Sequence, residues 1–392
     1  MKRVAVVVQR CDETVVGGSE ALAWQYARLL SSAYDVEVLT STASEHVRWE
    51  NALPAGAAMR DGIVVRRFPV VLGRTPYWDA LYQRMCGEAA LLRAGTGNWR
   101  EALQDEFIRS QGPYCPALHD WLRAHDYAAV LFCTYLYPTT YFGIRAIAPQ
   151  RAILVPTLHD ETPAHLPVFR ELYARYPHRI WLTEAERRAA QAVWGYCGGE
   201  TIGMAVEQLA TEPPEIGDAP YFLYCGRIEA GKGCDELLRA FERLPNRTGI
   251  RFVFTGTDVI GLPKSRDIEF LGFVDDARKR ALMAGALAFV LPSRYESFSI
   301  VTLEAMAQRT PVLVNGDCEV MRDHIEQSGG GLAYRGIDDL VAKLEHLRAL
   351  PAPERERIGI AGRNYVLARY GEEAIRQRLV EYIGRVIEKA EH

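Results

Sequence analysis

Apolar residues fall into two patterns along the chain: short continuous runs, and positions repeated at helical spacing. Residues 3–9 form one such run, followed by Gly17-Gly18-Ser19, a helical pattern and then the run 36–39. The helical pattern consists of Leu22, Tyr26, Leu29 and Leu30. A short apolar run predicts a buried strand, and short connections favour a parallel, right-handed crossover. The chain therefore begins with a predicted strand, helix and strand.

The alternation is interrupted at residues 76–121, a largely helical stretch with breaks at Gly95-Thr96-Gly97 and Gly112-Pro113. Strand patterns resume at residues 128–133, 152–158 and 180–183. The interrupting stretch is rich in rings, namely Tyr77, Trp78, Tyr82, Trp99, Phe107, Tyr114 and Trp121. Such rings either pack helices against one another or offer flat faces to a sugar.

A second alternation follows a segment without periodicity. Residues 210–220 contain Pro213-Pro214, Gly217 and Pro220, which is typical of an interdomain linker. Beyond it, strands are predicted at 222–225, 252–254, 268–271, 287–291 and 312–314, and helices at 237–244, 278–284 and 301–308. The pattern predicts an α/β fold with two doubly wound, Rossmann-like domains, residues 1–209 and 221–371, facing across a crevice.

The last predicted helix covers residues 372–391 and carries one apolar stripe that must be buried. The stripe consists of Ile375, Leu379, Tyr382, Ile383, Val386 and Ile387.

Composition narrows the function classes only slightly. The chain has 392 residues, 48% of them hydrophobic, and a formal net charge of −4, so two domains are expected and nucleic-acid binding has no electrostatic basis. No apolar run approaches the roughly 18 residues of a spanning helix. The eight cysteines include no Cys-x-x-Cys pair, which favours reduced thiols and a cytoplasmic protein.

The most informative stretch runs from Leu291 to Ala307 and predicts a strand, a polar turn and a helix. Glu296 lies at the turn and Glu304 about two helical turns further on, so both carboxylates could line one crevice. The backbone amides of Ser297, Phe298 and Ser299 would lie at the helix start, where an anionic or hydroxyl-rich ligand is favoured. Spacing alone leaves open that both glutamates are solvated helix charges.

A glycine-rich turn follows the strand 222–225 and contains Gly226, Arg227 and Lys232. Two cations and close-approaching glycines suit a diphosphate, although a charged surface turn remains an alternative. The turn lacks the Gly-x-x-x-x-Gly-Lys-Ser/Thr pattern of a Walker loop. Since the first strand is not followed by Gly-x-Gly-x-x-Gly either, a hydride-transfer enzyme is disfavoured.

Two features of the first half lie at predicted strand ends, where open α/β sheets bind ligands. Gly17 and Gly18 would let the backbone approach a ligand, or else form a flexible turn before a Ser19 cap. His159 follows the strand 152–158 in the context Thr157-Leu158-His159-Asp160, and a lone histidine there could equally be structural.

Together these motifs resemble retaining glycosyltransferases of family four, which have the GT-B fold. The resemblance rests on Glu296-Ser297-Phe298-Ser299 with Glu304-Ala305-Met306, on Gly226-Arg227 with Lys232-Gly233, and on Gly17-Gly18 and His159. It departs at Gly256-Thr257-Asp258, where many relatives have Gly-x-Gly, and at residues 203–207, where Asn-Gly-Val-Asp is usual.

The resemblance implies a role for each motif. Arg227 and Lys232, with Gly226, would bind the donor diphosphate, and Gly17-Gly18 would lie over it. Glu304 would bind the ribose hydroxyls and Glu296 the sugar hydroxyls. His159 and the amides of residues 297–299 would position the sugar ring. The helix 372–392 would complete the first domain.

The expected reaction is transfer of a sugar, with retention, from a nucleotide diphosphate sugar to a hydroxyl of a saccharide or lipid-linked glycan, in surface polysaccharide biosynthesis. No cofactor and no divalent metal are expected, since Arg227 and Lys232 supply positive charge. We expect residues 76–121 to bind the saccharide acceptor, presented from the cytoplasmic side, with peripheral membrane association as an option. The alternatives are a catalytically inactive nucleotide-sugar-binding subunit and a phosphorylase or phosphosynthase on the same fold.

Overall fold

Two mainly parallel sheets organise the protein, for which a computed structural model describes residues 1–15, 17–206, 219–245 and 247–391. The chain divides into unit 1, Met1–Met204 with Ile375–His392, and unit 2, Ala205–Ala374. Of the predicted linker 210–220, only Ala219 and Pro220 are among the described residues.

The sheet of unit 1 has eight strands in the order β3-β4-β2-β1-β5-β6-β7-β8. The strands are β1 (Arg3–Val7), β2 (Asp35–Ser41), β3 (Gly56–Arg60), β4 (Ile63–Phe68), β5 (Ala129–Cys133), β6 (Ala152–Val155), β7 (His178–Trp181) and β8 (Glu200–Thr201). All neighbours are parallel except the hairpin β3-β4. Strand β1 pairs in parallel with β2, as the first predicted unit requires.

Nine helices surround this sheet among the described residues. They are α1 (Gly18–Leu30), α2 (Pro76–Gly87), α3 (Ala89–Arg93), α4 (Glu101–Gln111), α5 (Pro116–Ala124), α6 (Pro138–Tyr141), α7 (Pro167–Tyr173), α8 (Glu184–Trp194) and α15 (Glu372–Glu391). The predicted apolar stripe of α15 is buried. The Tyr382 hydroxyl of α15 donates to the Arg179 carbonyl and accepts from the Arg179 amide, both at 3.0 Å, which ties the helix to β7.

Unit 2 contains a fully parallel six-stranded sheet in the order β11-β10-β9-β12-β13-β14. Its strands are β9 (Tyr221–Cys225), β10 (Arg251–Thr255), β11 (Ile268–Phe270), β12 (Ala288–Leu291), β13 (Val312–Asn315) and β14 (Gly331–Tyr334). Its helices are α9 (Cys234–Glu242), α10 (Asp276–Gly285), α11 (Ile300–Ala307), α12 (Glu319–Ser328), α13 (Gly336–Ala349) and α14 (Ala352–Tyr370). The α/β class predicted from the sequence is confirmed in both units.

Strand order reverses once in each sheet, between β1 and β5 in unit 1 and between β9 and β12 in unit 2. At such a switch point the loops at the carboxyl ends of the two strands diverge and leave room for a ligand. In both units the predicted motifs follow strands at or next to this point. One prediction ran too far: β6 ends at Val155 because Pro156 follows it and Thr157 adopts a left-handed conformation with φ 52°.

Candidate functional site

The loop after β9 carries the predicted diphosphate motif. The Tyr224 hydroxyl donates to the Arg227 carbonyl at 2.6 Å and so holds the turn in place. The Arg227 side chain is half exposed, and its Nη2 lies 3.3 Å from Glu229 Oε1. Residues Ala230–Lys232 then form a 3₁₀ turn, which leads into α9. The turn therefore presents a guanidinium and an ammonium at the carboxyl edge of the sheet.

The loops after β9 and β12 approach each other closely. Gly233 has φ +75°, and a Cβ there would lie 2.7 Å from the Pro292 carbonyl oxygen, so this contact requires glycine. The same carbonyl accepts a hydrogen bond of 3.1 Å from Nδ2 of the buried Asn315 side chain at the end of β13. Three strand ends are thereby held together.

Lys232 and Glu296, which are far apart in sequence, form an ion pair with Nζ 2.8 Å from Oε1. Their side chains are 27% and 18% exposed, so both can be reached from solvent. The structure thus brings the predicted phosphate-binding cation next to the predicted sugar-binding carboxylate. Adjacent cationic and anionic groups suit a ligand that joins a phosphate to a polyol.

Residues 297–299 lead into α11 through an irregular turn. Ser299 is the N-cap, adopts the left-handed conformation with φ 60°, and shares a hydrogen bond of 2.8 Å with the Thr302 hydroxyl. The side chains of Phe298 and Ser299 are buried. A ligand here could therefore meet these two residues mainly through their backbone, which is the role predicted for them.

His324 holds this turn from beneath and was not predicted from the sequence. Burial lowers its pKa to about 4, so the ring is neutral at pH 7. Its Nε2 lies 3.0 Å from the Phe298 carbonyl and its Nδ1 lies 2.9 Å from the Tyr365 hydroxyl. The tautomer that satisfies both partners has Nε2–H donating to the carbonyl and Nδ1 accepting from the phenol. No sequence spacing links His324 to Phe298.

Glu304 is oriented by a second residue that sequence reasoning missed. Lys279 Nζ lies 3.0 Å from Glu304 Oε1 and 2.9 Å from Asp276 Oδ1. Burial lowers the pKa of Lys279, but the two carboxylates outweigh it and raise the pKa above its usual value. Lys279 and Glu304 also act electrostatically on Cys225, whose pKa burial raises to about 12, which places the pair near the end of β9. The spacing Asp276-x-x-Lys279 on a helix was the one feature of the sequence that could have indicated an ion pair at Lys279.

In unit 1 the glycine pair lies at the start of α1, beside a buried ion pair. Gly17 has an extended backbone, and a Cβ there would lie 2.1 Å from Glu20 Oε2. Glu20 Oε1 lies 2.6 Å from Arg10 Nη2, and both side chains are less than 10% exposed. Close packing against Glu20 therefore explains why position 17 is a glycine. At Gly18 a Cβ would have no atom within 4 Å. The predicted ligand role of both glycines stays a prediction.

His159 lies beyond β6, at the carboxyl edge of the same sheet. Its Nε2 is 3.3 Å from Glu161 Oε2, and the ring is 31% exposed. Burial raises the pKa of Glu161, but His159 and a hydrogen bond of 2.7 Å from the Tyr135 hydroxyl together lower it by more, so the net shift of the pKa is downward. Glu161 is therefore ionised and keeps His159 in place.

A buried carboxyl group anchors the backbone next to His159. Glu186 at the start of α8 accepts hydrogen bonds from the amides of Leu158 at 2.7 Å and Leu182 at 2.5 Å. It thereby joins the chain beyond β6 to the chain beyond β7. Burial raises the pKa of Glu186 to about 8, although the backbone hydrogen bonds oppose this.

Two tryptophans of the ring-rich stretch 76–121 lie in the core, and the acceptor role of the stretch stays a prediction. Trp78 and Trp99 are buried, at 9% and 6% exposure, and both pack on Phe107. Both rings belong to the hydrophobic core cluster of unit 1. For Trp78 and Trp99 this burial favours the packing alternative over contact with a sugar. Tyr77 is exposed and Tyr82 is half-buried.

The site residues thus form two groups. In unit 2 the loops after β9 and β12 bring together Lys232 and Glu296, with Arg227, Ser299 and Glu304 on the same loops or on α11. Gly17, Gly18 and His159 belong to unit 1. Within the described residues no group of three or more His, Cys, Asp or Glu side chains could hold a metal ion. No described helix is long and apolar enough to cross a membrane.

Known proteins resemble the chain at two levels. The family "Glycosyl transferases group 1" matches residues 207–365. An uncharacterised glycosyltransferase of Methanocaldococcus jannaschii is 35% identical over 134 residues, which cover 32% of this chain and 34% of the relative. The O-antigen chain mannosyltransferase B of Escherichia coli is 36% identical over 105 residues, 24% of this chain and 28% of the relative. The matches thus span about a third of these relatives' length.

The fold likeness extends over the whole chain. Sucrose-phosphate synthase from Thermosynechococcus elongatus superposes with a TM-score of 0.72 at 16% identity, covering 99% of this chain and 100% of that one. At this identity the likeness concerns the fold. Residues 207–365 of the chain thus resemble the glycosyl transferases group 1 family, and the chain as a whole has the GT-B fold.

Proposed function

We propose that the protein is a retaining glycosyltransferase that moves a sugar from a nucleotide diphosphate sugar to a hydroxyl group of a saccharide or lipid-linked glycan. The observation that carries this proposal is the contact between Lys232 and Glu296. It joins the two predicted motifs at the switch point of unit 2, where a ligand is expected.

Each side chain has a defined task in this proposal. Departure of the nucleotide leaves negative charge on its diphosphate, and Arg227 and Lys232 supply fixed positive charge for it. Glu296 accepts hydrogen bonds from hydroxyl groups of the transferred sugar, and the turn held by His324 offers backbone groups to the same sugar. Glu304 accepts from the ribose hydroxyls, with Lys279 fixing its orientation.

The proposed enzyme works without a divalent metal. The support is the pair of cations in the loop after β9, Arg227 and Lys232, which would supply the positive charge that a metal supplies in other enzymes. Activity that is lost in EDTA and restored by magnesium or manganese would contradict this part of the proposal.

The test of the donor site is a pair of conservative substitutions. A thermal-shift screen of UDP-, GDP- and dTDP-sugars first identifies the donor, whose dissociation constant is then measured by calorimetry. Glu304→Gln and Lys279→Met should each weaken donor binding, Glu304→Gln by roughly 10- to 100-fold, because a hydrogen bond to a charged group contributes about 1.5–3 kcal/mol.

The matched control is Glu269→Gln. Glu269 also forms an ion pair in unit 2, with Arg251 at 2.5 Å, but it lies on β11 outside both motifs. Its donor affinity should equal that of the wild type. Unchanged affinity in Glu304→Gln, with the control behaving as expected, would refute the donor site.

For the acceptor and the pathway, the proposal names only a broad class. Support for surface polysaccharide biosynthesis comes from the similarity to an O-antigen mannosyltransferase, which covers only part of each chain. Incorporation of labelled sugar from the identified donor into a panel of saccharide and lipid-linked acceptors tests it.

A further inference from the structure

A cluster of charged and phenolic side chains lies at the carboxyl edge of the unit 1 sheet. Arg74 immediately precedes the N-cap of α2, Tyr82 lies on α2, Tyr137 follows β5 and Glu161 follows β6. Arg74 and Glu161 both act electrostatically on the hydroxyls of Tyr82 and Tyr137, so the four side chains share one region. We call this region the Arg74 cluster.

Arg74 is the member whose charge is not matched. Its guanidinium carbon lies 4.2 Å from the centre of the Trp78 ring, and the side chain is half-buried. Its Nε is buried without a hydrogen-bond partner, and in the part of the chain that the structure describes no carboxylate forms an ion pair with it. A partly desolvated guanidinium is costly unless something accepts its hydrogen bonds.

The neighbouring charges already have partners. Glu161 lies 3.3 Å from His159 and accepts a hydrogen bond from the Tyr135 hydroxyl, and the nearby Arg10 forms an ion pair with Glu20. Arg74 is therefore the cation of the cluster for which the described residues provide no carboxylate partner. Beside it, the Tyr82 and Tyr137 phenols are protonated near neutral pH, because burial raises the pKa of Tyr137 to about 12 and also raises the pKa of Tyr82. They can donate hydrogen bonds.

We propose that the Arg74 cluster binds a phosphoryl group of the acceptor. The guanidinium would hold two phosphoryl oxygens in its planar fork, the two phenols would donate to the same group, and Glu161 with His159 would meet hydroxyls of the attached sugar. This inference rests on the proposed function, because it names the acceptor class of that reaction. The same chemistry occurs in a free sugar phosphate and in the diphosphate of a lipid-linked glycan.

Calorimetry with three probes tests the site. Glucose 6-phosphate represents the free sugar phosphate, a polyprenyl diphosphate-linked N-acetylglucosamine in detergent micelles represents the lipid-linked source, and glucose is the neutral comparison. All proteins carry Arg227→Ala, so that anion binding at the donor motif of unit 2 is reduced. Arg74→Gln should weaken binding of at least one phosphorylated probe tenfold or more and leave the weak binding of glucose unchanged.

The chain offers a matched control in Arg84→Gln. Arg84 lies on α2, the helix that follows Arg74, and covers a tryptophan, Trp99, at 5.1 Å, but it is paired with Glu88 at 2.9 Å. Its substitution should change the affinity for either phosphorylated probe less than twofold. Arg74→Lys keeps the charge but not the fork, so it should bind more weakly than the arginine protein and more tightly than Arg74→Gln.

The phosphorylated probe that depends on Arg74 identifies the source of the phosphoryl group. The inference is overturned if neither phosphorylated probe binds with dependence on Arg74, or if glucose shows the same dependence. It is also overturned if Arg74→Gln only lowers the melting temperature, as expected of an arginine that merely covers Trp78. Donor binding by the wild type separates the two proposals: intact donor binding without an Arg74 effect removes only this inference, and the reverse removes only the proposed function.

Discussion

Each unit contains a mainly parallel sheet with one reversal of strand order. The loops at that reversal are held by different contacts in the two units. In unit 1 the Arg10–Glu20 ion pair beside the loop after β1 is buried, with side chains 8% and 6% exposed. In unit 2 the Lys232–Glu296 pair is 27% and 18% exposed, and the loops meet through backbone contact at Gly233. Similar ion pairs therefore have different tasks: the pair in unit 1 fixes the loop, and the pair in unit 2 remains accessible to a ligand.

This difference separates stability from binding. A buried pair cannot lose one partner without leaving an uncompensated charge in the interior, so its residues belong to the fold. A partly exposed pair contributes little to stability because solvent screens it. Loops fixed by backbone contact leave their charged side chains available to a ligand, which fits the match of residues 207–365 to the glycosyl transferases group 1 family.

The largest expected effect comes from removing one acidic partner in each unit. Glu20→Ala should lower the free energy of unfolding by about 3–5 kcal/mol, because it leaves Arg10 buried without its partner. Glu296→Ala should lower it by about 1 kcal/mol or less and instead reduce sugar transfer. Urea denaturation of both variants measures the contrast.

The double variant Arg10→Met/Glu20→Leu is the control for this pair. It should recover most of the stability that Glu20→Ala loses, since no charge is left buried. Equal losses in Glu20→Ala and Glu296→Ala would remove the distinction between the units.

A smaller effect is expected at the glycines. Gly233→Ala should cost about 1–3 kcal/mol in strain, because φ is positive and the new Cβ meets a backbone oxygen that cannot move aside. Gly17→Ala should also destabilise, but through the Glu20 carboxylate, which is a side chain. Thermal and urea unfolding of the two variants give the comparison.

The Glu20→Ala background distinguishes these mechanisms. Gly17→Ala should cost little there, because the atoms that its Cβ would meet most closely are absent, whereas the cost of Gly233→Ala should persist. A Gly17→Ala loss that is the same in both backgrounds would show that the glycine itself, rather than Glu20, is needed.

A further effect is a pH dependence of opposite sign at two buried groups, Glu186 in unit 1 and His324 in unit 2. The pKa of Glu186 is raised to about 8, above its unfolded value, so its contribution is complete below about pH 4.3 and is lost as pH rises toward 8. The pKa of His324 is lowered to about 4, so the unfolded chain binds more protons and stability is lost as pH falls from about 6.5 toward 4. Each slope is at most about 1.4 kcal/mol per pH unit.

Unfolding free energies between pH 4 and 8 check this prediction. Glu186→Gln should flatten the alkaline side of the profile, and His324→Gln should flatten the acid side. Burial also lowers the pKa of His119 in unit 1 to about 4, so His119→Gln serves as the comparison for His324. A profile that neither Glu186→Gln nor His324→Gln alters would contradict the prediction.

Elements with strong local patterns were predictable from the sequence. Strand β1, helix α1 and the stripe of α15 follow directly from apolar spacing, and the motif loops follow from their glycines and charges. The β3-β4 hairpin was missed, although Asp61-Gly62 is a standard two-residue turn and both residues have positive φ. The exposed β3 lacks the alternation that would have marked it as a strand.

Contacts between distant residues were not predictable. His324 reaches Phe298 across 26 residues, and Lys279 reaches Glu304 across 25. Neither partner carries a signature, because a histidine or lysine on a helix has many possible neighbours. The sequence left the burial of Trp78 and Trp99 open for a related reason: helical spacing shows that rings share a face, but not whether that face is covered.

The placement of α15 has a consequence for how the chain is made. Unit 2 is one continuous segment, whereas unit 1 is completed by residues that follow it. During synthesis on the ribosome, the strands of unit 1 emerge first. The last helix, with Ile375 and Leu379, can pack on them only after all of unit 2 has been synthesised. The apolar surface that α15 covers, beside Arg179, stays open during that interval. Unit 1, whose synthesis begins first, is therefore the unit whose folding is completed last.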